Sequence, residues 1–244
     1  MTKTPRVYLL DVEGTVAPVT LVSEQLFPYA RAHLSNFLSE NIDDPAVRAD
    51  LMLLSEESQV ETDTTAPRIP EFASRGLLNT PDFQVRGLAY LLWLMDRDRK
   101  STALKSLQGR IWKAGFESGE LKGTLFADVP GALARWSAHG RVAIYSSGSV
   151  GAQQLLFRHS IFGDLTGLIA ACFDTRTGAK TASASYSAIA AAMQVDPREI
   201  RFFSDVVREL DPAREAGMET RLIIREGNAP VEDAHGHVVI ESFD

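Results

Sequence analysis

Arg6–Val7–Tyr8–Leu9–Leu10–Asp11–Val12–Glu13–Gly14–Thr15 is the stretch from which the rest of the chain is read. Four consecutive apolar residues, rich in strand formers and ended by an acid, predict a short buried parallel strand that delivers a carboxylate at its carboxyl end. Open α/β sheets keep their ligands at that end. Asp11 and Glu13 are two apart, a spacing at which extended backbone sends both side chains to the same side, and Gly14 releases the chain into a tight turn. Two carboxylates in one crevice repel each other. The pair is tolerated if a divalent cation lies between them or if one keeps its proton. Taken alone, the stretch also fits an ordinary turn with solvated acids, and the later chain decides between the two.

The Asp-x-Glu-Gly-Thr pattern at 11–15 resembles the Asp-x-Asp-x-Thr signature of the haloacid-dehalogenase-like phosphatases, with Glu13 in place of the usual second Asp. In that departure it is similar to the enolase-phosphatase branch, which acts in methionine salvage.

Composition limits the alternatives. A chain of 244 residues with 45% hydrophobic content can bury a large core, as one large domain or as one domain carrying an insert. The net charge of −7 argues against a nucleic-acid or anionic-membrane surface, so a phosphate substrate must be met by local positive groups. Cys172, the single cysteine, excludes an internal disulfide and a thiolate metal cluster and is expected to pack in the core; a reducing, cytoplasmic setting fits it. No signal peptide is expected before the first strand, and the apolar run Leu88–Met95 is far short of a membrane span. The five histidines form no zinc signature, and His235 with His237 reads as an exposed, incidental pair.

After the first motif, Leu21–Glu40 carries apolar residues at helical spacing with Ser23 as its cap, and Asp43 or Asp44 followed by Pro45 opens a second helix toward Val60. Thr62–Pro81 is polar with three prolines and reads as a loop or interface. Helices are predicted over Pro81–Arg97 and Ser101–Ser118, with no strand between Leu21 and Gly119. From Asp128 onward the pattern alternates. Helices are expected at Val129–His139, from Ser149 to His159, at Thr181–Met193 and at Arg208–Ala216. Strands are expected at Arg141–Tyr145, Ala170–Phe173, Ile200–Ser204, Glu219–Ile224 and Val238–Ile240. Alternation at these lengths predicts a parallel sheet covered on both faces.

Three strands end in something chemical: Asp11 with Glu13, Ser146 with Ser147, and Asp205. Ser146–Ser147–Gly148 before a helix offers hydroxyls and free N–H groups, a phosphate cradle, although a lone copy would read as a helix cap. Lys180 would begin a helix, where a cation is unfavourable by roughly 0.3–1 kcal/mol unless an anion compensates; a solvated surface lysine is the alternative. Gly178–Ala179–Lys180–Thr181 ends like a nucleotide-binding loop but lacks its glycines.

These stretches resemble the remaining family motifs, and the whole is identified as a haloacid-dehalogenase-like Rossmannoid parallel sheet, residues 1–20 and 120–244, with an all-helical cap, residues 21–119, inserted after the first strand. Gln108–Trp112 and Gly119–Gly123 look like the end of an enolase-phosphatase cap. Enolase-phosphatases usually carry His before the lysine, where this chain has Ala179. The resemblance implies Asp11 as nucleophile, Glu13 as acid and base, Lys180 as the neutralising cation and a substrate contact, and Ser146 and Ser147 on the phosphate. It implies Mg²⁺ held by Asp11, the main-chain carbonyl of Glu13 and Asp205, with Glu209 orienting a metal-bound water; Arg208 reads as surface or ion pair. The implied reaction converts 2,3-diketo-5-methylthiopentyl 1-phosphate to the acireductone 1,2-dihydroxy-3-keto-5-methylthiopentene and phosphate. The expected partner is this small phosphorylated diketone, with no nucleic acid or membrane, and the expected state is a monomer. A generic phosphomonoesterase and a non-catalytic phosphate-accepting domain are the rival readings.

Overall fold

In the computed structural model, which describes residues 5–69 and 80–244, β1 (Val7–Leu10) is buried along its whole length at the middle of a parallel sheet. The order is β3-β2-β1-β4-β5-β6, with β2 at Arg141–Tyr145, β3 at Ala171–Phe173, β4 at Ile200–Ser204, β5 at Glu219–Ile223 and β6 at Val238–Ile240. Central strands covered on both faces need side chains apolar on both faces, which is why Val-Tyr-Leu-Leu shows no alternation.

Tyr145, Tyr186 and Phe202 lie in one buried cluster with Val7 and Leu9. Trp136 stacks on Tyr8 and on Phe203 at 4.7 and 5.1 Å between ring centroids, with Phe243 edge-on to both Trp136 and Phe203. Helices α5 (Val129–Ser137), α6 (Val150–Arg158), α7 (Ser183–Ala192) and α8 (Val207–Glu215) belong to this unit, Met1–Val22 with Phe116–Asp244.

The second compact unit, Ser23–Gly115, is helical among its described residues. It holds α1 (Phe27–Asn41), α2 (Pro45–Val60), α3 (Pro81–Asp96) and most of α4 (Thr102–Ser118) around Leu34, Leu51, Leu54, Phe83, Leu91 and Leu107. Asp44 caps α2, its Oδ1 accepting from the N–H groups of Ala46 and Val47 at 2.7 and 3.2 Å. Glu57 of α2 accepts the N–H of Thr102 at 3.0 Å and so fixes the start of α4. Residues 70–79, half of the polar proline-bearing stretch, lie outside the described residues.

Two expectations are corrected. Ser23 is no helix cap: Leu21–Leu26 is π-helical and leads straight into α1, a distinction of hydrogen-bond register that apolar spacing does not register. His237 is buried rather than exposed, bonding Thr220 at 2.7 Å and Asp211 at 3.1 Å through its two ring nitrogens, which ties the approach to β6 onto β5 and α8. Cys172 is half-buried in β3, and burial pushes its thiol up to about 11, as suits a packing residue. Among the described residues no helix is long and apolar enough to cross a membrane.

Candidate active site

Parallel register sets the chemical residues level. Leu10 pairs with Ile144 of β2 on one side and with Phe203 of β4 on the other. Asp11 therefore stands beside Tyr145 and Ser204, with Ser146 and Asp205 one step beyond. The chain turns outward in both directions from β1, so this edge is the switch point of the sheet.

Asp11 is buried, and its Oδ1 receives the Lys180 ammonium at 2.5 Å. The same ammonium lies 2.6 Å from Glu209 Oε2, an oxygen that also accepts from the Ser204 hydroxyl at 3.1 Å. Burial alone would push Lys180 down; Asp11 and Glu209 outweigh it and hold the ammonium above its ordinary value. Lys180 thus meets the compensating anions that a cation near a helix start requires. It stands three residues ahead of α7 rather than in its first turn. Glu209 is half-buried and pushed up by burial and by Asp11. It grips the lysine directly, a different task from the water-orienting one expected of it, and Arg208 is exposed.

Three consecutive carbonyls of the lysine loop are each held by a side-chain hydroxyl. Tyr145 donates to Gly178 at 2.9 Å, Ser185 to Ala179 at 2.7 Å and Tyr186 to Lys180 at 2.7 Å. Burial pushes both phenols up, so they remain donors. Gly178 has φ +148°, and a Cβ there would stand 2.2 Å from Ser185 Oγ, so the approach requires glycine. None of these three hydroxyls is visible as a site residue in the sequence. Tyr145 and Tyr186 carry the signal of core aromatics, and their phenolic ends are the only hint.

Ser146 is buried and Ser147 exposed. Ser146 Oγ accepts the Gly148 N–H at 3.1 Å, and Gln153 Nε2 donates to the carbonyls of Gly148 and Phe173 at 2.8 and 2.9 Å, which fixes this turn ahead of α6. The helix itself is capped by Ser149, whose Oγ accepts from Ala152. An anion at this turn would meet a hydroxyl and the positive end of α6.

Asp205 packs against the α-carbon of Gly14: a Cβ at Gly14, where φ is +71°, would lie 2.2 Å from Asp205 Oδ2. Burial and the charge of Asp11 push the Asp205 carboxyl up to about 7. Glu13 is raised by burial and by Asp11, partly offset by Lys180. Among the described residues no three His, Cys, Asp or Glu side chains gather as a metal cluster by themselves. The expected set uses two carboxylates and a main-chain carbonyl, and its fit rests on other observations. Asp205 Oδ1 is buried without a hydrogen-bond donor, and Asp11, Glu13, Asp205 and Glu209 share the described ammonium of Lys180. Oxygen donors with unbalanced negative charge suit Mg²⁺.

A pH-dependent metal effect is expected. Glu13, Asp205 and Glu209 all sit above the unfolded carboxylate values near 4, so folding without metal takes up protons as these groups pass from their unfolded to their raised values, a window that for Asp205 reaches about 7. Their contribution to stability is greatest below that window and is lost as pH rises through it. Mg²⁺ should therefore raise the melting temperature more at about pH 8 than at about pH 5.5. Equal shifts at the two values would count against a metal at these carboxylates.

The haloacid dehalogenase-like hydrolase family model matches residues 5–217. Enolase-phosphatase E1 of Synechococcus elongatus is 49% identical, covering 97% of this chain and 95% of the relative. A protein of Physcomitrium patens named as a probable bifunctional methylthioribulose-1-phosphate dehydratase/enolase-phosphatase E1 is 42% identical over 97% of this chain and 47% of its own length. A solved structure of the unknown transcript 4 protein of Saccharomyces cerevisiae superposes with TM-score 0.78 at 34% identity, covering 99% of each chain. The chain belongs to the haloacid dehalogenase-like hydrolases and, within them, to the enolase-phosphatase group.

Proposed function

We propose that this phosphatase works through an aspartyl-phosphate on Asp11 and performs both steps of the enolase-phosphatase reaction on 2,3-diketo-5-methylthiopentyl 1-phosphate. The observation that carries the reading is the buried contact of Asp11 with Lys180, 2.5 Å long, at the carboxyl edge of the sheet. Asp11 Oδ1 supplies the carboxylate oxygen that attacks phosphorus, and the ammonium beside it neutralises the transferring oxygens. Ser146, Ser147 and the start of α6 hold the phosphoryl group. Asp11, the Glu13 carbonyl and Asp205 would hold Mg²⁺, which would supply charge neutralisation on that group.

Glu13, with its carboxyl raised by burial and by Asp11, keeps a proton more readily than a surface glutamate and gives it to the leaving oxygen. The resulting carboxylate then takes a proton from the water that releases phosphate from Asp11. In the first step Glu13, as a carboxylate, takes the proton from C1 of the diketone while the neighbouring carbonyl oxygen takes one from solvent to give the enol, and the proton gained by Glu13 is the one it later gives to the leaving oxygen. The ammonium of Lys180, held between Asp11 and Glu209, is a poor base, so Glu13 is assigned the C1 proton. The helical insert, 21–119, is the specificity module in this reading. The substrate assignment draws on the names of the relatives, one of which joins this activity to a dehydratase for methylthioribulose 1-phosphate.

A coupled assay on the diketo phosphate, following acireductone absorbance and free phosphate separately, tests the reading. Phosphate from simple esters without acireductone would mark a generic phosphomonoesterase, and no turnover of any phosphoester would mark a phosphate-accepting domain. Glu13→Gln is expected to lower enolisation and phosphate release together by about 10²-fold. Glu13→Asp should keep hydrolysis of simple esters while losing enolisation. Accumulation of the phosphorylated enol at the wild-type rate by Glu13→Gln would assign the base to another residue.

A further inference from the structure

The loop that carries Glu13 is fastened from a segment outside the stretches that resemble family motifs. Beyond β5 the chain makes a turn, Arg225–Glu226–Gly227–Asn228, closed by the Asn228 N–H on the Arg225 carbonyl at 3.1 Å. Gly227 takes φ +88° at its third position, where such turns call for glycine. Both ends of the turn reach the motif loop. Asn228 Nδ2 donates to the Gly14 carbonyl at 2.9 Å, and Arg225 Nε donates to the Thr15 carbonyl at 3.2 Å.

The loop's own hydrogen bonds use other acceptors. The N–H groups of Thr15, Val16 and Ala17 all go to the Val12 carbonyl, and the N–H of Gly14 goes to Ala17. The two carbonyls next after Glu13 in sequence are the ones the turn holds.

Arg225 is built in rather than draped over. It is 9% exposed, its Nη1 lies 2.9 Å from Asp128 Oδ2, and its guanidinium sits 4.5 Å from the ring of Phe126 and 4.7 Å from that of Phe243. Asp128 Oδ2 also accepts the Phe243 N–H at 2.7 Å. Burying a guanidinium is unfavourable, and an apolar side chain would fill the space at lower cost. A planar fork that reaches a carboxylate and a carbonyl at once does what neither an apolar group nor lysine can do. Position matters here, because Gly14 has no spare room against Asp205.

We infer that the Arg225–Asn228 turn positions Glu13 for proton transfer, through the Gly14 and Thr15 carbonyls. The inference rests on the acid–base role proposed for Glu13.

Asn228 is half-buried and can be changed without opening the core. Asn228→Ala and the isosteric Asn228→Asp remove the donor to Gly14, while Arg225→Lys keeps the charge and loses the fork. Each variant is compared on glycerol 1-phosphate, whose alkoxide must be protonated as it leaves, and on p-nitrophenyl phosphate, whose leaving group departs without a proton. The ratio of the two kcat/KM values does not depend on the fraction of enzyme folded. Glu13→Gln, the reference, is expected to lower that ratio by about 100-fold, and the three positioning variants by about 5- to 10-fold through kcat with KM held. If Glu13→Gln lowers the ratio and the Asn228 variants match wild type, the positioning role is overturned. If Glu13→Gln itself leaves the ratio unchanged, the acid–base reading fails first and this inference falls with it.

Discussion

Asp11→Asn should release phosphate at least about 10³-fold more slowly than wild type from a protein that stays folded. The amide has the shape of the acid, and its oxygen can still accept from the Lys180 ammonium that now lies 2.5 Å from Asp11 Oδ1. What it loses is nucleophilicity toward phosphorus, and a thousandfold loss corresponds to about 4 kcal/mol of transition-state stabilisation. Stability should change little, because the substitution also removes one of several carboxylates crowded at the sheet edge. Circular dichroism fixes the fold and a phosphate assay reads the rate. Acid-quenched wild type incubated with substrate should in addition carry a phosphoryl group on the peptide containing Asp11. Substantial turnover by the variant, or a label elsewhere, would remove the nucleophile assignment.

Lys180→Met is expected to lose activity by about 10²-fold or more and stability by on the order of 3 kcal/mol without metal. The methionine fills similar space but leaves Asp11 and Glu209, now 2.5 and 2.6 Å from Nζ, buried without their cation. Lys180 has a raised value, so its own contribution is fully present below the ordinary lysine range near 10 and is lost only as pH rises through the raised value. Any pH dependence of the deficit near neutrality therefore comes from the carboxylates. Freed from the ammonium that lowers it, Glu209 holds its proton more strongly, and the deficit should shrink from about pH 8 to about pH 5.5. Thermal melts at both values read this directly. A fully active, equally stable variant would return Lys180 to the status of a surface residue.

The frame of the molecule was legible because its strands are short apolar runs that stop at a change of chemistry. Leu10 gives way to Asp11, Tyr145 to Ser146 and Ser204 to Asp205, and the expected ends of β2, β4 and β6 are those of the structure. Side-chain reach is not written in that pattern. Glu209 occupies a helix first turn, where an acid is favoured for reasons of dipole alone, so nothing local says that its carboxylate turns back onto Lys180. Tyr145, Ser185 and Tyr186 read as strand and helix packing because their hydrogen-bond partners are backbone carbonyls, which have no signature in sequence. Arg225 escaped notice for a related reason. It lies past the last strand of the motif-bearing region, and only the fold brings it to Thr15.

The hydroxyls on the lysine loop also bear on the residue that departs from the group's habit. The main chain at position 179 is fixed through its carbonyl by Ser185, and the Ala179 methyl is exposed. Location of the lysine and identity of its neighbour are therefore separable. Ala179→His is expected to leave Lys180 in place, so that whatever an imidazole adds beside the lysine can be measured against the alanine that stands there now.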